Sequence, residues 1–208
     1  MKNLVENICN VLSINVEELN ELLNQLDATV DDVVDFRDNK ILELCDGREF
    51  YLFDSEASAY DEACEQSKNI LYDCGVDYNH LKQFIDINSA VDTDWFESAL
   101  RESMETYVED IRNEWEDDDK TRLDVEMEDA CCDTEEEFID YLVGNAGDPI
   151  DWYEFNFGDI HEVANEHNLF DYDKIAEMCV DCDGISHFLA SYDGNEDIIE
   201  NVYVYRIN

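Results

Sequence analysis

Apolar residues recur at intervals of three and four between residues 94 and 119, and this period predicts one long amphipathic helix. Thr93 precedes the segment and is the predicted N-cap. At about 1.5 Å per residue, its 26 residues would extend about 39 Å. The stripe expected to face a core consists of Phe96, Leu100, Met104, Tyr107, Val108, Ile111 and Trp115.

The opposite face of this helix carries many carboxylates, relieved only by Arg101 and Arg112. Like charges therefore lie within one turn of each other, and each such pair costs roughly 0.2–0.5 kcal/mol. A helix that tolerates this repulsion indicates either a binding role for its acids or an unusual solvent. The acids are Glu97, Glu102, Glu105, Glu109, Asp110, Glu116, Asp117, Asp118 and Asp119.

Shorter periodic segments predict further helices on both sides of this element. Asn15 and Glu18 have the spacing of a capping box, which marks the start of the second helix. Residues 27–38 are acidic and are expected to be irregular, with a short helical turn. The predicted helices cover residues 4–12, 16–26, 55–74, 78–85, 134–143, 159–167 and 171–182.

The pattern changes to strand-like segments in two places. Residues 40–45 and 48–53 flank Asp46-Gly47, a pair favoured in type I′ turns, and together they predict a β-hairpin. The pattern also predicts strands at residues 198–200 and 202–207. A terminal hairpin would pair these strands with residues 186–192.

The order of these elements predicts an α+β fold that is mainly helical, with one hairpin in the amino-terminal half and a short carboxy-terminal β segment. We expect residues 1–88 to hold the first helices and the hairpin. Residues 89–208 would then form an acidic helical region that ends in strands. One continuous domain is the alternative.

The composition supports a folded protein, because 45% of its 208 residues are hydrophobic and 12% are aromatic. Its unusual property is charge: 56 acids against 12 bases give a formal net charge of −44. This charge repels nucleic acid and anionic membranes. Residues 123–205 contain 24 acids and a single base, Lys174, and this part is therefore the predicted binding face.

The scale of the charge is similar to that of duplex DNA. B-DNA carries one charge per roughly 1.7 Å, so a charge of −44 equals that of about 22 base pairs. Carboxylates three or four residues apart on a helix lie about 5–6 Å from each other, a spacing similar to that of phosphates along one strand. A rigid surface of this kind can occupy a DNA-binding groove, with binding that is electrostatically steered and weakened by salt.

Aromatic residues alternate with acids between residues 148 and 157, a segment that Pro149 opens and Gly158 closes. The aromatic side chains would either anchor a partner or belong to the core, and the core is the interpretation that we favour. Four acids of this half join the candidate binding residues: Glu135, Glu136, Asp151 and Glu154.

Motifs for metal binding or catalysis are missing from the sequence. Cys179 and Cys182 form a CxxC, but a zinc site needs a second well-spaced pair, and the neighbouring Asp181 and Asp183 would raise the thiol pKa. No EF-hand, GxSxG, HExxH, P-loop or GxGxxG pattern is present. We expect a protein without a metal or cofactor that is not an enzyme.

The amino-terminal segment does not have the pattern of a secretory signal, because Glu6 interrupts its apolar run. Later apolar runs fall short of the 18 to 20 residues that a membrane helix needs. We therefore expect a cytoplasmic protein, in the host cell if phage-encoded, with its eight cysteines mostly reduced.

In its charge, its size and its acidic helices, the chain resembles the DNA-mimic proteins of phages and mobile elements, of the Ocr and ArdA antirestriction types. Its segments SHFLASYDG and VYVYRIN are also similar to the carboxy termini of phage-encoded acidic proteins. The resemblance implies an inhibitor, often dimeric, that binds a basic DNA- or RNA-binding protein of a bacterial defence system, such as a restriction or CRISPR complex. It implies no catalytic residue.

Two other functions stay open on the sequence. The chain could be an acidic interaction module that binds a basic protein without competing with DNA, although such proteins usually concentrate their acids in a disordered tail. It could also be a halophilic protein whose acids serve solubility at high salt. The many Ile, Asn, Tyr and Cys residues argue against the second, and a requirement for molar salt would favour it.

Overall fold

The structure, a computed structural model, describes residues 2–37, 39–114 and 120–208. It confirms the predicted class: the fold is α+β and 61% helical, with a small five-stranded antiparallel sheet. The contacts divide the chain into two compact units. Unit 1 combines the residues up to Val76 with Tyr172–Asn208, and unit 2 is Asp77–Asp171. The sequence placed its division after residue 88 instead.

Eleven helices lie within the described residues, and two short 3₁₀ turns accompany them at Val30–Asp32 and Ile87–Ala90. None of these helices is both long enough and apolar enough to cross a membrane. In chain order they are α1 (Lys2–Leu12), α2 (Val16–Gln25), α3 (Glu56–Cys74), α4 (Tyr78–Leu81), α5 (Thr93–Ile111), α6 (Arg122–Asp129), α7 (Glu135–Ala146), α8 (Pro149–Phe157), α9 (Ile160–Glu166), α10 (Tyr172–Asp183) and α11 (Ile185–Leu189).

The sheet of unit 1 joins strands from both ends of the chain. Its strands are β1 (Val33–Phe36), β2 (Ile41–Leu44), β3 (Glu49–Phe53), β4 (Glu196–Ile199) and β5 (Val202–Arg206), in the spatial order β1-β2-β3-β5-β4. The β3–β5 register pairs Phe50 with Arg206 and Phe53 with Tyr203. This long-range pairing explains why the carboxy-terminal strands belong with the amino-terminal helices.

The predicted hairpin of β2 and β3 is confirmed, but its turn is not type I′. A type I′ turn needs a positive φ at both central residues. Gly47 has a φ of 88°, whereas Asp46 is not among the residues with positive φ. The N–H of Gly47 donates to the carbonyl of Leu44 at 2.9 Å, so Gly47 follows the turn and takes the left-handed position.

The carboxy-terminal strands pair with each other and with β3, not with residues 186–192. Residues 185–189 form α11 instead. The strand β1 was missed, because residues 27–38 show no clear alternation and their strand conformation depends on pairing with β2. Both corrections involve pairing between segments that local sequence patterns do not specify.

Helices cover the two faces of the sheet in unit 1. Phe50 and Leu52 of β3 belong to one buried cluster, together with Leu22 and Leu23 of α2. Tyr51 and Phe53 alternate with them and belong to the other cluster, beside residues of α3, α10 and α11. The two-residue period of the strand thus supplies both cores.

The capping box predicted for α2 is confirmed. The Asn15 side chain accepts the N–H groups of Glu17 and Glu18 at 2.8 and 3.0 Å. The Glu18 carboxylate accepts the N–H of Asn15 at 2.7 Å. These bonds satisfy backbone donors that a helix start otherwise leaves unpaired.

Unit 2 is built around α5, whose predicted apolar stripe faces a core. Phe96, Leu100, Val108 and Ile111 are each at most 2% exposed. The carboxy-terminal half of the stripe packs against α6 and α7 in one buried cluster. At the other end, the ring of Phe96 lies edge-on to Tyr153 of α8, with centroids 5.3 Å apart.

The central helix is shorter than predicted: α5 has 19 residues, or about 28 Å, and not 26. Its N-cap is Asp92 and not Thr93, since the Asp92 carboxylate accepts the N–H of Asp94 at 3.1 Å. After Ile111 the chain turns toward α6, a helix that the sequence did not predict, and the N–H of Arg122 donates to the carbonyl of Glu114 at 2.6 Å. The predicted helical residues Trp115–Asp119 lie outside the described residues.

The packing of unit 1 predicts a large effect for Leu52→Ala, because Leu52 is fully buried in the central strand β3. We expect the free energy of unfolding to fall by about 2–5 kcal/mol in urea titrations followed by circular dichroism. Val34→Ala is the control, since Val34 lies on the edge strand with 55% exposure. Its effect should stay below about 0.5 kcal/mol. Equal losses would contradict the assigned core.

Candidate acidic interaction surface

Unit 2 is the more acidic of the two units. It contains 30 acids and five bases, whereas unit 1 contains 26 acids and seven bases. All of the candidate binding acids belong to unit 2, although Glu116, Asp117, Asp118 and Asp119 lie outside the described residues. Residues 123–205, singled out by their charge, are divided between the two units.

Arg101 of α5 binds several acids at once and cross-links two helices. Its guanidinium forms ion pairs with Glu136 and Asp140 of α7, the latter at 2.8 Å, and with Glu105 on its own helix at 3.4 Å. These three carboxylates therefore gather around one base. The candidate acids Glu105 and Glu136 are partly neutralised by this arrangement.

The other four bases of unit 2 also form internal ion pairs. Lys82 lies 3.3 Å from the carboxylate of Glu154, and Arg112 pairs with the candidate acid Glu135. The remaining pairs join Lys120 to Glu128, and Arg122 to Glu114 and Glu126. All five bases of unit 2 are thus bound to its own carboxylates, which leaves a large excess of acids.

A polar cluster attaches α6 to α5. The hydroxyl of Tyr107 donates to the Glu126 carboxylate at 2.7 Å, and Arg122 donates to the same hydroxyl at 3.1 Å. Burial and the bond to Glu126 raise the pKa of Tyr107, and the bonds to Glu126 and Glu114 raise the pKa of Arg122. Both groups therefore keep their protons, and the cluster persists at ordinary pH.

The outer side of α5 presents one stripe of carboxylates. Glu102, Glu105 and Glu109 are exposed and lie at intervals of three and four residues, which places them on one helical face. Glu97 and Asp110 are also exposed, but each is rotated by roughly 100° from this stripe, in opposite directions. The structure therefore brings three of the five described α5 candidates together.

Five candidate acids stay free of ion pairs. Within the described parts of unit 2, no base lies within ion-pair distance of Glu97, Glu102, Glu109, Asp110 or Asp151. All five are exposed to solvent. They are the carboxylates that an external cation could approach without first breaking an internal ion pair.

Acids of α8 and the N-cap acid of α9 lie near a buried tyrosine. Tyr78 is 1% exposed, and its hydroxyl donates to the side-chain oxygen of Asn88 at 2.9 Å. Burial, followed by the negative charges of Glu154, Asp159 and Asp151, raises the pKa of Tyr78 to about 12. Burial is therefore the larger cause of the shift, and the nearby carboxylates add to it.

The aromatic residues of α8 divide between core and solvent. Tyr153 packs between Phe96 and Trp95, with ring centroids 5.3 and 5.7 Å away, as the core interpretation predicted. That interpretation is wrong for Phe155 and Phe157, which are 89% and 64% exposed. Alternation of aromatic and acidic residues did not reveal which rings point outward.

An open groove runs beside α5 and the connection between α7 and α8. Arg101 is its single base, and that side chain is already bound to three carboxylates. Acidic side chains therefore dominate the free charge of the groove. Its lining includes Asp94, Glu97, Ser98, Arg101, Gly147 and Pro149.

The cysteines do not form a metal site in the described structure. Cys179 is half-buried and Cys182 is exposed, both on α10, and all eight cysteines are free thiols. Burial, and then the charge of Asp183, raise the pKa of Cys179. Over residues 2–37, 39–114 and 120–208, no group of three His, Cys, Asp or Glu side chains is arranged to hold a metal ion.

The raised pKa of Tyr78 predicts an alkaline loss of stability in unit 2. An unfolded tyrosine loses its proton near pH 10, whereas folded Tyr78 keeps it to about pH 12. The free energy of unfolding should therefore fall as pH rises from 10 to 12, by about 2–3 kcal/mol from this residue. Since all three tryptophans belong to unit 2, urea titrations followed by tryptophan fluorescence measure this loss.

In Tyr78→Phe the free energy of unfolding should fall less steeply between pH 10 and 12 than in the wild type, whatever the starting stability of the variant. Tyr141→Phe is the control, because its ring is 47% exposed. That variant should keep the pH dependence of the wild type. An unchanged slope in Tyr78→Phe would show that the tyrosine does not titrate as assigned.

Comparison of the chain with protein-family models, with curated proteins and with solved structures gave no match. The surface of the molecule itself is therefore what indicates its function. That surface combines a folded scaffold, a large excess of carboxylates and several exposed aromatic rings.

Proposed function

We propose that the protein is a DNA mimic, which inhibits a restriction, CRISPR or related defence enzyme by occupying its nucleic-acid-binding groove. The observation that carries the proposal is the charge balance of unit 2. Its five bases are all bound to its own carboxylates, so an excess of 25 acids remains on a folded unit. A rigid polyanion of this kind has the electrostatic character of a duplex.

The internal ion pairs support this function because they fix the helices that carry the free acids. Arg101 and Arg112 connect α5 to the first turns of α7, and Lys82 is bound to α8. The free carboxylates are consequently presented from ordered helices and not from a flexible tail. An ordered array loses less conformational entropy on binding than a disordered acidic segment would.

Several helices must contribute to the proposed surface. The α5 helix, at about 28 Å, is shorter than one turn of duplex, so its stripe alone cannot reproduce a full turn. Glu135 and Glu136 at the start of α7, and Asp151 and Glu154 of α8, extend the acidic surface within the same unit. Lysines and arginines of the target would relieve the repulsion between these acids.

On this proposal the protein acts in the cytoplasm, where defence enzymes meet DNA, either alone or as a homodimer. It needs no metal, cofactor or catalytic group. The same surface would serve an acidic module that binds a basic protein outside its DNA groove, and competition with DNA separates the two functions. A halophilic protein would require molar salt for its stability. A DNA mimic needs salt only to screen its surface repulsion, and this screening is largely complete at a few tenths molar salt. A requirement for molar salt would therefore favour the halophilic interpretation.

The decisive experiment is a pulldown from bacterial lysate with the immobilised protein, with and without excess duplex DNA. Recovery of a DNA-binding enzyme that duplex DNA displaces would support mimicry and identify the target. If no partner is recovered, or if partners stay bound in the presence of the DNA, groove mimicry is refuted.

We predict that removal of the negative charges of the α5 stripe weakens binding to the enzyme recovered in this way. Glu102, Glu105 and Glu109 changed together to Gln should raise the dissociation constant roughly tenfold at low salt, because the stripe loses two carboxylates that are free of ion pairs and a third that Arg101 only partly neutralises. The matched control changes three exposed acids of α1 and α2, Glu6, Glu17 and Glu21, to Gln. It removes the same charge from unit 1 and should have a much smaller effect.

Binding of the purified target to both variants can be compared by calorimetry across a range of salt concentrations. The stripe variant should also show a weaker dependence on salt, since fewer charges are paired on binding. Equal effects of the two variants would mean that net charge alone controls binding. The α5 stripe would then not be part of the interface.

A further inference from the structure

A small cavity of unit 1 lies between the end of α2 and the sheet. Its volume is about 210 Å³, and its lining comes from α2, β3, β4, β5 and the turn that precedes β4. We propose that this cavity binds a free α-amino acid with an uncharged polar side chain. The inference is independent of the proposed function, which concerns the acidic surface of unit 2.

Arg206 of β5 gives the cavity a positive group that is not neutralised by an acidic side chain. Every other arginine of the described residues forms an ion pair with a side-chain carboxylate, and Arg206 forms none. Its Nε donates to the main-chain oxygen of Asn208 at 2.7 Å. The two Nη nitrogens have no hydrogen-bond partner among the described residues. This end of the guanidinium can therefore bind a carboxylate in the bidentate geometry that arginine favours.

The surrounding structure holds the Arg206 side chain in place. Its guanidinium carbon lies 3.7 Å from the centroid of the Tyr192 ring. The N–H of Tyr192 donates to the carbonyl of Arg206 at 3.3 Å, and strand pairing places Arg206 opposite Phe50. A guanidinium that is fixed in this way loses little conformational freedom when it binds a ligand, so the entropic cost of binding is small.

Three acids line the same cavity without reaching this arginine. Asp27, Asp193 and Asp197 are all exposed, and none of their carboxylates lies within ion-pair distance of Arg206. Asp197 belongs to β4, where it pairs with Val204 beside Arg206 on β5. Opposite charges therefore border one cavity and do not touch each other. A small molecule that carries both charges can bridge them.

These charges determine the class of ligand. An anion alone would be attracted by Arg206 but repelled by the three acids and by the net charge of −44. A cation alone would find similar carboxylates over the rest of the surface and would gain nothing from Arg206. The second arginine of the lining, Arg48, is already bound to Asp46 at 2.7 Å. A zwitterion fits best, with its carboxylate on Arg206 and its ammonium group among the acids.

The size and the lining of the cavity define the rest of the ligand. Its volume of about 210 Å³ is smaller than the roughly 300–1,000 Å³ of sites for drug-sized ligands, so the ligand is small. Phe50 and Val204 are at most 4% exposed and offer little apolar surface. The exposed amides of Gln25 and Asn195 offer hydrogen-bond donors and acceptors. L-Glutamine is therefore a suitable probe, because its side chain is polar and uncharged.

Three molecules that share one side-chain amide test the inference. L-Glutamine carries both charges, glutaramate lacks the ammonium group, and 4-aminobutanamide lacks the carboxylate. Calorimetry measures the affinity of the full chain for each, in about 0.15 M NaCl, which screens the non-specific attraction of cations to exposed acids. L-Glutamine should bind at least about tenfold more tightly than either of the other two molecules, because it alone engages Arg206 and the acids together.

Two variants assign the charges of the ligand to their partners. Arg206→Gln should weaken the binding of L-glutamine about tenfold and leave that of 4-aminobutanamide unchanged, since the latter has no carboxylate. Asp197→Asn should reduce the preference for L-glutamine over glutaramate several-fold, since the ammonium group loses a partner. Asp197 is exposed on an edge strand, so this variant keeps the fold.

Matched controls remove the same charges elsewhere. Arg112→Gln changes an arginine of unit 2, and Asp61→Asn changes an exposed acid of α3, a helix on the other face of the sheet. Both controls should bind L-glutamine as the wild type does. Circular dichroism checks the folding of each variant, and Asp197→Asn decides the test if Arg206→Gln does not fold.

Several results would overturn the amino-acid site. The first is the absence of binding heat for L-glutamine up to about 10 mM. Equal affinity for glutaramate would make the cavity a simple anion site, and equal affinity for 4-aminobutanamide would mean that it only collects cations. An unchanged preference in Asp197→Asn, or an equal loss in the controls, would also exclude the assignment. No DNA or defence enzyme takes part in this assay, so its outcome does not bear on the function proposed for unit 2.

Discussion

Mutual repulsion among 56 carboxylates is the constraint to which the rest of this structure responds. Twelve bases cannot neutralise these charges, and several of them cross-link helices instead. Arg101 joins α5 to α7, and Arg122 joins α6 to α5 and to the turn that precedes it. These two arginines therefore stabilise tertiary contacts while the surrounding surface stays strongly negative.

Helix starts provide a second use for the acids. Asp92, Asp148 and Asp159 accept backbone N–H groups at the first turns of α5, α8 and α9. Capping boxes begin α2, α6 and α7, with Glu18, Asp124 and Glu137 as their acidic members. A carboxylate in this position interacts favourably with the helix dipole and with unpaired donors. Some of the carboxylates whose mutual repulsion destabilises the fold thus stabilise its helices.

Local signals in the sequence predicted the elements that depend on local interactions. The capping box of Asn15, the hairpin around Gly47 and the inner stripe of α5 are examples. Features that depend on distant partners were missed, namely β1, α6 and the pairing of β5 with β3. The length of α5 was overestimated because the acids and aromatic residues beyond Ile111 continue the helical period without continuing the helix over residues 112–114.

The candidate surface was only partly predictable for a related reason. Periodicity located the stripe of Glu102, Glu105 and Glu109, but it could not show which acids of other helices are bound to Arg101 or Arg112. In the same way, alternation of acids and aromatics in α8 did not separate Tyr153, which packs inward, from Phe155, which faces solvent. Both distinctions depend on which neighbours pack against the helix.

The pairing of β3 with β5 has a consequence for synthesis of the chain. Unit 2 lies wholly between the two segments of unit 1, so a ribosome completes unit 2 about 30 residues before it reaches β5. Until then β3 has an unpaired edge, and the amino-terminal hairpin with its helices is an incomplete domain. The acidic unit is therefore expected to fold before unit 1 on the nascent chain, and unit 1 closes only after β5 has been synthesised.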